Sequence, residues 1–189
     1  MRKRGIVKET YYKLAEKLGL NPTNAKIQWH MIAAENRKII DPISPRFFFV
    51  GEPIEIVLDK VPKKTVKAPS FPDKKIYRKI PITKKIFVDK IDFVQHKGKE
   101  VRLMHFCNII LDKKAKVTSV KLKDVPKIHW VSSKNVKIRL VMPDANEVEG
   151  LAEPDISKVK TDNTVQFERL GFCRVDKIKP QIVLYYAHK

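Results

Sequence analysis

The pattern of apolar positions divides the chain into a helical beginning and a longer β part. In the first forty residues, apolar side chains recur at helical spacing, and Gly19 is placed to end a first helix. A second helix is predicted after capping residues at 21–24, and it ends at Asp41 and Pro42 because the residue before proline disfavours helix. The predicted apolar faces are Ile6, Tyr11, Leu14, Ala15 and Leu18 for the first helix, and Ile27, Met31, Ile32 and Ala34 for the second.

After Pro45, apolar and polar residues alternate with the period of two that is typical of strands. Residues 61–73 are predicted to be a connector rich in Pro and Lys, and residues 112–114 the turn of a hairpin. We see no helical pattern between the strands, so barrels are favoured over a βαβ sheet, and the length favours two barrels. The predicted strand regions are 47–58 (broken at 51–53), 76–89 (broken near Pro81), 100–111, 115–122, 128–131, 136–142, 164–175 and 181–187.

The charge favours a polyanionic partner. The 189 residues include 40 Lys or Arg and 21 Asp or Glu, which gives a net charge of +19. The excess is uneven, since residues 60–90 hold eleven basic residues and two acids, whereas residues 144–168 hold seven acids and two lysines. This polarity favours nucleic acid over the alternative, a charged surface kept for solubility or thermal stability. A membrane-surface protein would need a basic amphipathic helix, whereas this basic stretch is interrupted by prolines.

Candidate catalytic chemistry is sparse. Cys107 and Cys173 form no CxxC pair, so we expect buried free thiols in a reducing, cytoplasmic protein rather than a zinc site. No signal peptide pattern opens the sequence, and no apolar run approaches the ~20 residues of a membrane span. We find no glycine-rich phosphate loop and no paired histidines, and Glu147 and Glu149 are interpreted as solvated side chains in an acidic loop. These patterns alone predict a basic, mainly β RNA-binding module.

Two alternating runs flank Gly171 within residues 164–176, and they carry side chains suited to contact bases. Glycine lets the backbone turn or bulge between the runs. Gln166 both donates and accepts hydrogen bonds, and Arg169 presents a rigid fork of donors. We therefore expect this bend to face a nucleic acid.

Six short stretches occur in a fixed order: RKRGI (2–6), NRKIIDP (36–42), GKEVRLM (98–104), IHWV (128–131), GLAE (150–153) and VQFERLGFCRVD (165–176). Together they resemble the C-terminal part of archaeal-type glutamyl-tRNA synthetases, and the resemblance covers essentially the whole chain. Glutaminyl-tRNA synthetases share most of this framework, but GLAE and the closing residues 185–188 favour the glutamyl branch. The resemblance implies a mainly β fold of two antiparallel barrels with exchanged first strands, similar to a 5S-rRNA-binding ribosomal protein, after a short helical segment.

The resemblance also implies a division of the chain and of its function. Residues 1–42 correspond to a helical stem-region segment, and residues 43–189 to a two-barrel anticodon-binding region. In the family, a catalytic domain with two ATP-site signatures precedes this region, and neither signature occurs in this sequence. We therefore expect a portion that recognises tRNA and is inactive alone, whose parent attaches glutamate to tRNA(Glu) with ATP and Mg²⁺.

Several properties of this expected protein remain open. The alternatives are a stand-alone ribosomal-type RNA-binding protein and the equivalent part of a glutaminyl-tRNA synthetase. The expected partner is tRNA(Glu), with tRNA(Gln) as an open second substrate of the parent. We expect a cytoplasmic monomer without a cofactor or metal of its own, since ATP and Mg²⁺ belong to the catalytic domain.

The resemblance assigns base contacts to residues that match the family's motifs. They are Arg102 in EVRL, Gln166 and Arg169 in QFER, and Arg46 after the Asp-Pro motif. The glutaminyl relatives have a second arginine where this chain has Met104, so one base pocket stays unassigned. The contacts expected with tRNA phosphates involve basic side chains near the start of the chain and in the basic region, namely Arg2, Lys3, Arg4, Lys74 and Lys75.

Each assignment has a structural alternative. Arg169 could pair with Glu168 or Asp176, and Gln166 could bond to the backbone of its own barrel. Arg102 could be an ordinary outward strand residue. Trp130 is predicted to be a core residue rather than a stacking platform.

Overall fold

The computed structural model describes residues 1–19 and 26–189, and it begins with two helices. Helix α1 spans Lys8–Leu18 and α2 spans Trp29–Ile40, with 3₁₀ turns at Arg2–Arg4 and Asp41–Ile43. Gly19 ends α1 as predicted, with a φ of 65° and its N–H bonded to the carbonyl of Ala15. The second helix ends before Pro42, as predicted. The predicted capping residues 21–24 lie outside the described residues.

The buried face of α2 differs from the predicted apolar face. Ala34 is exposed, whereas the polar Asn36 is fully buried. The Oδ1 atom of Asn36 accepts hydrogen bonds from the N–H of Val7 at 3.0 Å and the hydroxyl of Thr10 at 2.8 Å, while Nδ2 lies 2.8 Å from Nε2 of His188. Burial is tolerated because these partners satisfy the amide. Asn36 thereby ties α1 and α2 to the end of the chain.

The β part contains two seven-stranded sheets and one separate hairpin. The strands in chain order are β1 Arg46–Phe47, β2 Phe49–Val50, β3 Pro53–Leu58, β4 Thr65–Pro69, β5 Tyr77–Pro81, β6 Lys85–Asp89, β7 Glu100–Leu103, β8 Asn108–Ile110, β9 Lys114–Ser119, β10 Lys127–Ile128, β11 Trp130–Ser132, β12 Val136–Val141, β13 Glu147–Ala152, β14 Thr164–Phe167, β15 Gly171–Lys177 and β16 Ile182–His188. Helix α3 spans Lys90–His96, and a further 3₁₀ turn spans Pro154–Lys158.

Each seven-stranded sheet closes through two edge strands that are almost continuous in sequence. Barrel A has the strand order β1-β14-β15-β16-β12-β13-β2, and only Phe48 separates its two edge strands. Barrel B has the order β10-β7-β8-β9-β3-β6-β11, and only His129 separates its edges. The two edge strands therefore lie end to end in one segment that bonds to both edges of its sheet, which curls the sheet toward a closed barrel. The predicted mainly β fold is confirmed.

The strand pairs are mostly antiparallel, with parallel exceptions where a strand meets a segment distant in the chain. The parallel pairs are β1–β14, β7–β10, β3–β9 and β12–β16. Both β1 and β2 precede barrel B in the chain but pair within barrel A. Phe47 and Phe49 enter the core of barrel A, whereas Phe48 enters that of barrel B. Three consecutive phenylalanines therefore pack into both cores and link the two barrels.

Three parts of the predicted pattern were wrong. The predicted connector contains β4, which pairs with β5 in a hairpin, because its buried Val66 and Ala68 alternate with the exposed Thr65 and Lys67. The predicted absence of helix is corrected by α3, whose N-cap Asp89 accepts a hydrogen bond from the N–H of Ile91. The predicted acidic loop is strand β13, although Glu147 and Glu149 are exposed as predicted.

The two runs around Gly171 form a hairpin of β14 and β15 rather than one bent strand. The turn lies at residues 168–170, where Arg169 has a left-handed φ of 70°. Gly171 follows with a φ of 142°, and a Cβ atom there would lie 2.5 Å from the carbonyl oxygen of His188. Glycine is required because the last strand passes so close.

The two cysteines are buried free thiols, as predicted. Burial raises the pKa of the Cys107 thiol to about 12, and burial also raises the pKa of Cys173. Cys107 lies in the connection between β7 and β8 rather than in a strand. Both thiols are protonated at neutral pH and serve as small apolar core groups.

Candidate nucleic-acid interface

Arg46 and Gln166 are direct neighbours on the outside of barrel A. They are register partners in the parallel pair β1–β14, and the next partners, Phe47 and Phe167, point into the core. The Nη2 atom of Arg46 lies 3.5 Å from Oδ1 of Asp41, the residue that follows α2. Among the described residues, neither Nε of Arg46 nor Oε1 of Gln166 has a hydrogen-bond partner, although both atoms are buried. The two neighbouring residues therefore hold an unpaired donor and an unpaired acceptor.

The loop that carries Lys74 and Lys75 adjoins this pair. The N–H of Arg46 donates to the carbonyl of Ser70 at 2.9 Å, and Ser70 N–H donates to the carbonyl of Ile76 at 2.8 Å. Lys74 and Lys75 are exposed at the tip of the same loop. Four of the residues predicted from the sequence are therefore brought to one region, since this loop lies beside Arg46 and Gln166.

Arg169 is engaged by a carboxylate that the sequence did not point to. Its guanidinium donates to both oxygens of Asp92 on α3, at 2.6 and 2.8 Å, and its Nη1 lies 3.0 Å from Nδ1 of His129. The Asp92 side chain is only 5% exposed, whereas that of Arg169 is 40% exposed. Hydrogen bonding to Asp92 raises the pKa of Arg169. The partner is Asp92 rather than Glu168 or Asp176.

His129 lies in the same cluster, and its side chain is 12% exposed. Burial and the charge of Arg169 lower the pKa of His129, while Asp92, Asp89 and Glu168 act in the opposite direction. The imidazole is therefore held neutral and occupies the single position between β10 and β11. Arg169, Asp92 and His129 together connect the β14–β15 turn of barrel A to barrel B.

A cavity of ≈ 320 Å³ opens beside this cluster between the barrels. Its walls are mainly apolar, with Leu140 and Met142 from barrel A facing Ile91 of α3. Glu52 and Asp89 also line the cavity, so its electrostatic potential disfavours a phosphate. Any nucleotide group that reaches Arg169 from this side is therefore more compatible with a base than with the backbone.

Arg78 forms a second connection between the barrels, and its own side chain is buried. Its Nε donates to the carboxylate of Glu153 at 3.0 and 3.1 Å, and its Nη2 donates to Glu168 at 2.5 Å. The guanidinium lies 5.0 Å from the ring centre of Phe48. Glu153 also accepts a 2.6 Å hydrogen bond from the N–H of Phe48. The network holds Glu168, which lies between Gln166 and Arg169, in a fixed position.

The two glutamates of this network respond differently to their surroundings. Burial raises the pKa of Glu153 despite the opposing charge of Arg78. Burial also acts to raise the pKa of Glu168, but hydrogen bonding with His105 and the charge of Arg78 outweigh it, so the pKa is lowered. Sequence reasoning missed this network because Arg78 is one of eleven basic residues in residues 60–90. The available signal was its buried position in the alternation of β5.

Arg102 lies apart from the Arg46–Gln166 pair, on the outside of barrel B. Its Nη1 donates to the side chain of Asn108 at 2.9 Å and to the carbonyl of Lys121 at 3.1 Å. Its register partner is Lys127 on β10. Trp130 is a core residue as predicted, and its indole N–H donates to the carbonyl of Met104 at 3.0 Å.

The basic residues at the start of the chain rest on aromatic side chains. Lys3 lies 5.1 Å from the ring centre of Tyr185, and Arg4 lies 5.2 Å from that of Trp29. Arg2 and Lys3 are exposed, whereas Arg4 is half-buried. This basic group belongs to the helical segment that packs on the outside of barrel A.

The described residues show neither a metal cluster nor a membrane-spanning helix. Residues 1–19 and 26–189 contain no group of three or more His, Cys, Asp or Glu placed to hold a metal ion. In the same ranges, no helix is long and apolar enough to cross a membrane.

The fold and this surface define a two-barrel nucleic-acid-binding protein with a basic hairpin loop beside a donor–acceptor pair. A family model described as "tRNA synthetases class I (E and Q), anti-codon binding domain" matches residues 44–125, and a second model with the same description matches residues 127–176. The chain therefore belongs to the anticodon-binding family of the class I glutamyl- and glutaminyl-tRNA synthetases. The resemblance noted in the sequence is confirmed.

Curated relatives extend this result over the whole chain. The glutamate–tRNA ligase of Methanocaldococcus jannaschii is 34% identical over 100% of this chain and 36% of its own length. That of Pyrococcus abyssi is 36% identical over 100% of this chain and 36% of its own length, and that of Archaeoglobus fulgidus is 36% identical over 99% and 34%. The chain spans about a third of the length of these relatives.

Proposed function

We propose that this chain is the anticodon-reading part of a glutamate–tRNA ligase and that it binds tRNA(Glu). The family description supports anticodon binding, and the relatives named above are glutamate–tRNA ligases rather than glutaminyl enzymes. A stand-alone ribosomal-type protein is not favoured by these matches. The proposal is limited to tRNA(Glu), and tRNA(Gln) is a second candidate ligand of the same surface.

The observation that carries the proposal is the register of Arg46 with Gln166 beside the loop of Lys74 and Lys75. Bases that unstack in a tRNA loop expose edges with donors and acceptors, which the unused Nε of Arg46 and Oε1 of Gln166 complement. The lysines attract phosphates without regard to sequence. One small region thus combines base reading with backbone attraction.

The remaining predicted contacts are divided between bases and phosphates. Arg169 presents a partly exposed guanidinium at a cavity whose acidic wall disfavours phosphate, so we assign it to a base. Arg102 lies on barrel B next to Lys127, where a second base of the anticodon would contact it. Arg2, Lys3 and the half-buried Arg4 are assigned to tRNA phosphates near the helical segment.

The chemistry of the parent enzyme is a separate matter. Attachment of glutamate to tRNA with ATP and Mg²⁺ would need the two ATP-site signatures, which are not in this sequence. We therefore assign this chain a recognition role, and we propose that it acts as a monomer in the cytoplasm. Addition of ATP, Mg²⁺ and glutamate to the chain alone is expected to give no ATP–pyrophosphate exchange.

The test compares binding of tRNA(Glu) with binding of tRNA(Glu) variants that carry single anticodon changes, at one fixed salt concentration. The wild-type chain should discriminate against at least one change, and Gln166→Ala should reduce that discrimination by about 5- to 150-fold, because a mispaired buried polar group costs ~1–3 kcal/mol. Arg139→Ala is the control. Arg139 lies on β12, is partly exposed and pairs with Glu147 on β13, so its loss should leave discrimination between anticodons unchanged. Equal affinity for all anticodons, or preferential binding of 5S rRNA, would contradict the proposal.

A further inference from the structure

The outer face of the β4–β5 hairpin is a strip of exposed side chains with two directly opposed lysines. Lys67 and Lys79 are register partners, and Tyr77 is the partner of Pro69 two positions away. Like charges directly opposite each other destabilise a strand pair. Tyr77 is 57% exposed and lies on the same face as both ammonium groups.

Within residues 1–19 and 26–189, neither Lys67 nor Lys79 forms a salt bridge. Asp155 borders a ≈ 300 Å³ cavity with Lys79, but its carboxylate pairs with Lys158 at 2.7 Å. The face therefore combines two unpaired positive charges with an exposed aromatic ring, which are the two elements of a single-strand nucleic-acid site.

The inner face of this hairpin is packed against the rest of the protein. Val66, Ala68 and Ile80 are buried in the core of barrel B. Arg78 is anchored by Glu153 and Glu168. The ring of Tyr77 is thus presented on a fixed two-stranded support, so little backbone freedom remains to be lost when a ligand stacks on it.

The hairpin is also continuous with the base-reading pair. Its end at Ser70 accepts the hydrogen bond from the N–H of Arg46, and its tip carries Lys74 and Lys75. An RNA loop that places one base at Arg46 and Gln166 therefore passes this hairpin with its neighbouring nucleotides.

We propose that the outer face of the β4–β5 hairpin binds an unpaired RNA nucleotide that flanks the base held at Arg46 and Gln166. Tyr77 stacks on the base, and Lys67 and Lys79 contact the two adjoining phosphates. Stacking requires a π-face only, so this site adds affinity without selecting a base. The inference rests on the proposed tRNA-binding function and adds a second subsite to it.

The test uses the full chain with two RNA hairpins that share the stem of tRNA(Glu). One carries the natural anticodon loop, and the other a compact tetraloop without free bases. Tyr77→Ala should weaken binding of the natural loop by about 5- to 150-fold, and binding of the tetraloop by less than about twofold, given the usual size of base–aromatic stacking. Tyr77→Phe should retain wild-type affinity, since it keeps the ring. Tyr12→Ala, at a 64% exposed tyrosine on α1, is the matched control.

A charge test complements the stacking test. The double change Lys67→Ala/Lys79→Ala should lower the slope of log affinity against log salt by about 1.4–1.8, which is the effect of two lost phosphate contacts. The control Lys137→Ala/Lys177→Ala makes the same charge change on exposed positions of β12 and β15. Thermal unfolding of every variant verifies that it is folded.

The outcomes separate this inference from the proposed function. Wild-type discrimination between anticodons with unchanged binding by Tyr77→Ala would overturn the hairpin site and leave the proposed function intact. Equal losses for Tyr77→Ala and Tyr77→Phe would also overturn it, because the hydroxyl rather than the ring would then be the contact. Absence of anticodon discrimination by the wild-type chain would instead overturn the proposed function.

Discussion

Arg78 and Lys79 are consecutive residues of β5, yet they lie in opposite electrostatic surroundings. Arg78 is buried between two carboxylates at the junction of the barrels. Lys79 points outward beside Lys67, and neither forms a salt bridge among the described residues. The same basic stretch therefore supplies a structural charge on one face and an available charge on the other.

The difference shows that the basic residues behind the net charge of +19 have two separate roles, one structural and one in attracting a ligand. Charges at the junction are matched, since Arg78 faces Glu153 and Glu168, and Arg169 faces Asp92. A buried charge that loses its partner is strongly destabilising. Exposed charges on the hairpin contribute little to stability but attract a polyanion. Substitutions in the two regions should therefore differ in which property they change.

The largest expected effect is on stability at the junction. Arg78→Met should lower the free energy of unfolding by about 3–5 kcal/mol, because the buried carboxylate of Glu153 loses its partner. Urea unfolding measures the change. Arg139→Met is the control, since its partly exposed pair with Glu147 should contribute only about 0–1 kcal/mol. Equal small losses for both variants would show that the junction charges are not structural.

Arg169 is paired with a buried carboxylate, as Arg78 is, but its side chain is 40% exposed. Its substitution should have the next largest effect on stability. Arg169→Ala leaves the 5% exposed Asp92 without its bidentate partner and should cost about 1–3 kcal/mol of stability. If Arg169 also reads a base, this variant should weaken cognate tRNA binding much more than binding of a tRNA with another identity. Asp92→Asn is the matched variant, because it breaks the same pair but retains the guanidinium. Equal loss on both tRNAs would indicate a phosphate contact only.

Acid should weaken the same cluster. The pKa of His129 is lowered in the folded chain, so the unfolded chain takes up this proton first as the pH falls. Stability should therefore decrease as the pH falls below about 6.5, the pKa of an unperturbed histidine. His188, whose pKa is also lowered by burial, contributes with the same sign. Urea midpoints measured between about pH 5 and pH 7.5 follow this loss.

The variant His129→Gln isolates one of these two groups. It removes the titrating imidazole beside Arg169 while keeping a polar side chain. The pH dependence of its urea midpoint should be shallower than that of the wild type. An unchanged dependence would assign the acid sensitivity to His188 or to carboxylates elsewhere.

The sequence predicted features that depend on neighbouring residues, but not contacts between residues far apart in the chain. Alternation of polar and apolar residues predicted most strands, because period-two patterns are local, whereas the length of the β part favoured two barrels. It did not predict that Arg78 pairs with Glu153 and Glu168, which are 75 and 90 residues away. In the sequence, Arg78 and Lys79 look alike. Only the burial of alternate residues on β5 distinguishes them.

The candidate site was predicted in part for a related reason. Motif resemblance selected Arg46 and Gln166 individually, but their contact depends on a parallel register between β1 and β14. Such a register follows from barrel closure and has no local signal. Helix α3 was missed because its seven residues carry too short a pattern, and with it the partner Asp92 was missed.

The smallest expected effect on stability belongs to the hairpin tip. Lys74 and Lys75 are exposed, and the contact of Lys74 with the ring of Phe71, 4.7 Å from the centroid, is at the surface. Lys74→Ala/Lys75→Ala should change the free energy of unfolding by less than about 0.5 kcal/mol. The same variant should lower the salt slope of tRNA binding by about 1.4–1.8 but preserve discrimination between anticodons, because phosphate contacts carry no sequence information. An unchanged slope would remove both lysines from the interface and leave Lys67 and Lys79 as the phosphate contacts of the hairpin.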